Sequence, residues 1–312
     1  MTDPVFKRLA ILGIGLIGSS IARAAAETGA AETIALWDRD ADVRAEATEL
    51  GLGQVAASGQ EAVRGADCVI LCVPVGALGE VTGAVASALA PGAILTDVGS
   101  VKTAAAAAMA AAAPDGVFVI PGHPIAGTEA SGPAAGFATL FTGAWHILTP
   151  PPDSADTAGS AEALAALSGF WTRLGARVET MDAERHDRVL AITSHLPHLI
   201  AFNIVATAYD MERVDEQDVV KYSAGGFRDF TRIAASDPTM WRDVFLANKD
   251  AVLETLGRFS EDLAALQRAI RWGDGDALFQ EFTRARRIRK AIIDAGMDSA
   301  EVNFGRDKPP PT

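Results

Sequence analysis

Aromatic residues make up only 6% of the 312 residues, cysteine occurs twice, and acidic residues outnumber basic ones to leave a net charge of −13. Each scarcity excludes something. The negative balance argues against a sequence-independent nucleic-acid binder, which gains its affinity from clustered Lys and Arg. The one basic cluster, Arg284-Ala285-Arg286-Arg287-Ile288-Arg289-Lys290, reads as a solvated helix face. A small anionic substrate stays open, because a few local arginines override a global charge. Cys68 and Cys72 share the apolar run 66–73. On a strand they would lie on one face about 13 Å apart, at about 3.3 Å per residue, too far for a disulfide. Two buried thiols in a reducing cytoplasm is the reading that follows. No apolar run reaches the ~20 residues of a membrane helix, so no membrane partner is expected. Residues 9–21 are apolar, but Asp3 precedes them and glycines interrupt them, which does not suit a signal peptide.

Hydrophobic residues make up 49% of the chain, enough for two domains with real cores. In the first half, short β-rich runs at 8–12, 33–37, 68–73, 93–96, 117–120, 145–148 and 177–180 alternate with helical stretches such as 17–28, 41–50 and 101–113. That alternation predicts α/β architecture, a doubly wound parallel sheet with helices on both faces. The alanine run 104–113, broken only by Met109, is a packed helix rather than a linker. Near residue 181 the pattern turns all-α, with long helical stretches at 183–210, 250–272 and 277–295. The expected organisation is therefore residues 1–181, a helical domain 182–304, and a disordered tail 305–312 with three consecutive prolines.

Residues 8–12 lead into Gly13-Ile14-Gly15-Leu16-Ile17-Gly18. Here Gly13 would permit a tight turn, Gly15 would leave room for a pyrophosphate, and Gly18 would let helix and sheet approach. The N–H groups at Leu16 and Ile17 would open a helix toward the phosphates. Asp38 follows the next strand, 20 residues after Gly18. A carboxylate there accepts from ribose hydroxyls and repels a 2′-phosphate, which favours NAD over NADP. Arg39 beside it leaves NADP open, and Asp38 also suits a helix N-cap.

The stretch Gly122-His123-Pro124-Ile125-Ala126-Gly127-Thr128-Glu129 sets a histidine and a carboxylate six residues apart among glycine and proline. Regular structure does not need that composition, and it predicts a loop aiming an imidazole at a ligand. Two further motifs join it. Asp97-Val98-Gly99-Ser100-Val101-Lys102 spans a strand end and a helix start, and His186-Asp187 precedes Thr193-Ser194-His195-Leu196-Pro197-His198. Carboxyl ends of parallel strands are where such sheets bind ligands, which would bring Ser100 and His123 to one pocket.

Together with Ser19-Ser20 and Gly225-Gly226-Phe227-Arg228-Asp229-Phe230-Thr231-Arg232-Ile233-Ala234, Asp237-Pro238 and Trp241, these segments resemble the prephenate and arogenate dehydrogenases of tyrosine biosynthesis. The resemblance implies a Rossmann-type domain, an all-α C-terminal domain that forms a homodimer, and oxidative decarboxylation of a ring substrate with hydride transfer to NAD. His123 matches the family's catalytic histidine, which accepts the C4 hydroxyl proton. Ser100 matches the serine that orients it beside the nicotinamide. Arg232 matches an arginine that clamps a substrate carboxylate, and His198 a second histidine touching substrate. Glu129, Asp187 and Trp241 match residues around the pocket mouth. Plainer readings stand beside these: Ser100 as N-cap of a helix starting at Val101, Arg232 paired with Asp229 or Asp237, and Trp241 as core filling. His195 reads as structural, and no metal is expected, because His195 and His198 with Pro197 between them are poor zinc geometry. The resemblance does not decide between prephenate and arogenate.

Overall fold

The computed structural model describes residues 3–128, 130–152, 157–215 and 225–294. Its strands are β1 (Phe6–Leu12), β2 (Ala31–Trp37), β3 (Gln54–Val55), β4 (Cys68–Leu71), β5 (Ile94–Asp97), β6 (Phe118–Val119), β7 (Gly122–Pro124), β8 (Trp145–Leu148) and β9 (Arg177–Thr180). The helices among them are α1 (Leu16–Thr28), α2 (Ala41–Glu49), α3 (Gly59–Val63), α4 (Leu78–Val85), α5 (Thr103–Ala112) and α6 (Ser160–Arg173). There follow α7 (Ala183–Leu190), α8 (Leu196–Asp215), α9 (Gly225–Thr231), α10 (Pro238–Ala247), α11 (Lys249–Trp272) and α12 (Gly275–Asp294).

The main sheet has the order β3-β2-β1-β4-β5-β6, and all its pairs are parallel. Its central strands read as near-continuous apolar runs because helices cover both faces. Successive residues of β1 alternate between the two faces. Leu9 and Ile11 join Ile21, Ala22 and Ala25 of α1 and Phe170 and Trp171 of α6 on one side. Ala10 and Leu12 join Leu78, Ala105 and Met109 on the other. That second core also takes in Trp241 and Val244 of α10, so the helical half is packed onto the sheet half. The strand order reverses between β1 and β4, which puts the glycine turn after β1 at the switch point where such sheets bind nucleotides.

Three expectations need correction. The strands do not form one sheet: β7, β8 and β9 make a second, mixed one, with β7 antiparallel to β8 and β8 parallel to β9. For the same reason His123 sits on a strand rather than in a loop, opposite Ile147 of β8. Pro124 hides the strand from sequence reading, yet it is tolerated because β7 is an edge. Finally, α7, a π turn at Ala191–His195 and α8 form one run, and its stretch Ala183–Met211 is by length and composition apolar enough to cross a membrane. It escapes a search for unbroken apolar residues because Ser194, His195, His198 and Asn203 punctuate it. His186, Asp187 and His195 of that run are buried against the sheet half.

Candidate active site

The glycine turn is built as its spacing requires. Gly13 has φ +97°, and a side chain there would strike the Cys72 carbonyl, so the turn and its seat on β4 both demand glycine. At Gly18 a side chain would strike the Gly13 carbonyl. Gly15 differs, because a Cβ there would meet nothing within 4 Å. It is also the N-cap of α1 and provides no side-chain cap. Open space beside uncapped helical N–H groups fits a pyrophosphate, which the helix dipole also favours. Asp38 is tied to this turn: its carboxylate accepts from the Ile14 N–H at 2.8 Å and the Asp40 N–H at 3.0 Å. The N-cap of α2 is Asp40, not Asp38. A carboxylate has about four lone-pair sites, so Asp38 retains capacity for ribose hydroxyls. Arg39 is exposed beside it.

The carboxyl end of β5 carries a buried ion pair. Lys102 Nζ donates to Asp97 Oδ2 at 2.5 Å, and both side chains are fully buried. The same Nζ donates to the Gly122 carbonyl at 2.7 Å, while the Gly122 N–H donates to Asp97 Oδ1 at 3.2 Å. Both backbone groups of the residue before His123 are thus held by one ion pair. Removing either charge would strand the other without solvent. Burial pulls the Lys102 ammonium below its ordinary value, and Asp97 opposes that shift.

His123 Nδ1 lies 2.9 Å from His186 Nε2, and His186 Nδ1 lies 2.9 Å from Asp187 Oδ1. The Asp187 carboxylate also accepts from the N–H groups of Lys102 at 2.7 Å and Thr103 at 2.9 Å. It therefore caps α5 from a distant helix. This corrects two expectations. The helix starts at Thr103 with Asp187 as its cap, so Ser100 is not the N-cap. Asp187 is buried, with its oxygens already accepting these bonds, instead of gating a pocket mouth. Burial would raise its carboxyl, but the bonds from His186, Lys102 and Thr103 bring it below the ordinary aspartate value. Burial depresses His186 against the pull of Asp187. His123 falls well below an ordinary histidine, through burial first and then the neighbouring His186, Lys102, His146 and His195. A neutral imidazole at physiological pH is the consequence.

A second group lies on the helical side. His195 is buried, accepts at Nδ1 from the Asn248 side chain at 3.1 Å, and is pushed by burial down to about 4. Asn248 also donates to the Asp187 carbonyl at 2.9 Å. His198 stacks on Trp241 with ring centroids 3.7 Å apart. Its Nδ1 meets the Ser194 carbonyl at 2.9 Å, and since a carbonyl only accepts, the neutral ring keeps Nε2 as an acceptor. The charge of half-buried Arg232 acts on His198 and adds to the burial that lowers it. Trp241 is 5% exposed within the second core, so it supports His198 from behind instead of lining a mouth. Half-buried Ser100 has no hydrogen bond to His123 among the described residues, and the bond that orients His123 comes from His186. Glu129 lies outside the described residues.

The comparisons with known proteins decide the family. Residues 21–180 match the description "Prephenate dehydrogenase, nucleotide-binding domain" and residues 182–284 "Prephenate dehydrogenase, dimerization domain". The chain belongs to the prephenate dehydrogenase family. It is 44% identical over 289 residues to a cyclohexadienyl dehydrogenase of Zymomonas mobilis, covering 92% of this chain and 97% of that protein. A prephenate dehydrogenase of Bacillus subtilis is 32% identical, covering 90% of this chain and 75% of the relative. Among solved structures, prephenate dehydrogenase from A. aeolicus in complex with hydroxyphenyl propionate and NAD+ superposes with a TM-score of 0.83 at 32% identity. That match covers 94% of this chain and 99% of the other.

Set against the family motifs, sequence reading missed three supports of this dehydrogenase site: Lys102, His186 and Asn248. Lys102 leaves a trace, since a lysine entering an alanine run five residues after an aspartate needs a buried partner if it goes inside. His186 stands next to Asp187, a pairing that hints at a bond. Asn248 leaves none. The open space at Gly15 yields a test. Gly15→Ala should weaken NAD binding at least about tenfold while leaving thermal stability near wild type, because the added Cβ meets no protein atom within 4 Å and enters the space for the pyrophosphate. Titration of NAD by fluorescence, beside a melting curve, checks both, and unchanged affinity would contradict the placement of the phosphates.

Proposed function

We propose that this chain catalyses the oxidative decarboxylation of prephenate, arogenate or both with NAD, giving 4-hydroxyphenylpyruvate or tyrosine. The observation that carries the reading is His123, a neutral imidazole whose preceding residue, Gly122, is pinned at its backbone by Asp97 and Lys102 and whose ring is met by His186. NAD, when bound, accepts the hydride. What falls to the protein is to hold the ring substrate and take one proton from its C4 hydroxyl, which becomes a carbonyl. The C1 carboxylate leaves as CO₂ and the ring becomes aromatic, so the driving force resides in the substrate. A neutral imidazole with an accessible nitrogen is the group suited to that proton.

The remaining roles follow from placement. Arg232 grips a substrate carboxylate with its planar fork, and His198, steadied by Trp241, offers Nε2 beside it. With NAD bound, the turn from Gly13 to Gly18 and the N–H groups of Leu16 and Ile17 would hold the pyrophosphate, Asp38 would take the ribose, and Ser100 would stand on the nicotinamide side of His123. For Glu129 a role at the pocket entrance rests on its place in the sequence motif alone. Residues 1–181 form the nucleotide-binding domain and 182–304 the helical one. Exposed Tyr209, Leu253, Ile270, Trp272, Phe279 and Phe282 on α8, α11 and α12 support a homodimer through the helical domain. Free Cys68 and Cys72 accord with a cytoplasmic enzyme.

Two experiments test this reading. NADH formation should follow addition of prephenate or arogenate, and His123→Asn should lower kcat by roughly 10²–10⁴ while sparing NAD affinity, as for a lost general base. Turnover of the variant within about threefold of wild type would remove His123 from that role. Light scattering should give a mass of twice 32.5 kDa, and a monomer under assay conditions would refute the dimer.

A further inference from the structure

We infer that His186 is a positioning residue that fixes His123 in the tautomer with hydrogen on Nδ1, so that Nε2 is the base, and that Asp187 sets this tautomer from the cap of α5. The inference rests on the reading of His123 as the base.

The argument runs outward from a group whose hydrogen-bonding sense is known. An ionised carboxylate only accepts, and Asp187 takes the N–H groups of Lys102 and Thr103. Its partner His186 Nδ1, at 2.9 Å, must therefore donate. A neutral imidazole with hydrogen on Nδ1 has a bare Nε2, and that atom lies 2.9 Å from His123 Nδ1. So His123 Nδ1 donates in turn, and its lone pair sits on Nε2. Each ring's sense is set by its neighbour, and the chain ends at a fixed charge.

The alternative is a protonated His186 that donates to His123 Nδ1, which would put the hydrogen on His123 Nε2 and abolish the base. The surroundings oppose it. His186 is fully buried, and Lys102 stands close to both rings. Among the described residues, His146 of β8 and His195 of the π turn are the other titratable groups whose charge acts most on His123. His146 is stacked on Trp171 with both nitrogens buried and unpartnered, and burial keeps it neutral. Lys102, its charge matched by Asp97, therefore adds the only fixed positive charge in this group. When His123 takes the hydroxyl proton at Nε2, the imidazolium keeps donating from Nδ1 toward Asp187, through a ring that need not itself change protonation.

The tautomer is also tied to the packing of the two halves. Asp187 belongs to α7 and the N–H groups it caps belong to the start of α5. Lifting α7 from α5 would remove the cap and release the rings together.

His186→Phe keeps an aromatic ring but neither bond. His186→Gln keeps an acceptor for His123 Nδ1–H without the link to Asp187. The expected result is a loss of about 10²-fold in kcat for Phe, with KM and NAD affinity within about threefold of wild type, and recovery to within about tenfold by Gln. The acid limb of kcat should move to lower pH in both, because the imidazolium loses an acceptor backed by a charge. Turnover near wild type in His186→Phe, or Gln no better than Phe, would overturn the inference. If Phe fails to bind NAD, Gln alone decides: a displaced acid limb supports the relay, and a profile and rate matching wild type overturn it. His123→Asn separates the two claims. If it abolishes turnover while His186→Phe does not, only this inference fails; if it leaves turnover intact, the assignment of the base fails first.

Discussion

The site depends on one buried carboxylate. Asp187 leaves water to sit at the start of α5, where two backbone N–H groups and the ring of His186 replace its solvation. An uncompensated charge at that depth would be costly, whereas three donors hold it ionised. Because the donors come from both halves of the chain, one group caps a helix, joins the sheet half to the helical half and gives direction to a pair of histidines. The Asp97–Lys102 pair does related work on the other side, holding both backbone groups of Gly122. His123 thus follows a residue fixed by one buried charge pair, and its ring is tied through His186 to another carboxylate. Placement of this kind lets a base act without reorganising at the moment of reaction.

The nucleotide turn achieves its function by leaving things out. Gly13 and Gly18 are glycines because backbone occupies the space a side chain would need, whereas Gly15 is open. Two glycines shape the turn and the third keeps room for a ligand, on a helix end with no side-chain cap of its own. The open turn belongs to the sheet half, and the proposed substrate contacts Arg232 and His198 belong to the helical half.

Much of this was legible in the sequence. Runs 145–148 and 177–180 coincide with β8 and β9, and the parallel order follows from the alternation of strand and helix. The class change near residue 181 corresponds to the step from β9 to α7. What stayed hidden was hidden for physical reasons. Gly122-His123-Pro124 carries no strand propensity, and its extended form comes from pairing with β8 and from Lys102, both long-range. The start of α5 slipped by two residues because its cap comes from 84 or 85 positions along the chain. A local reading offers Ser100 for that task. The motifs single out Asp187 and Trp241 but not their buried positions, because motif spacing does not say which side of a helix faces the core. His186 was in view only as the neighbour of Asp187.

The sense of the relay is the central claim, and it is open to direct observation. The chain has five histidines, which keeps assignment simple. With ¹⁵N-labelled histidine, NMR at neutral pH should show both His123 and His186 carrying hydrogen on Nδ1 and bare at Nε2. A His123 ring with hydrogen on Nε2, or a His186 that is doubly protonated, would contradict the account.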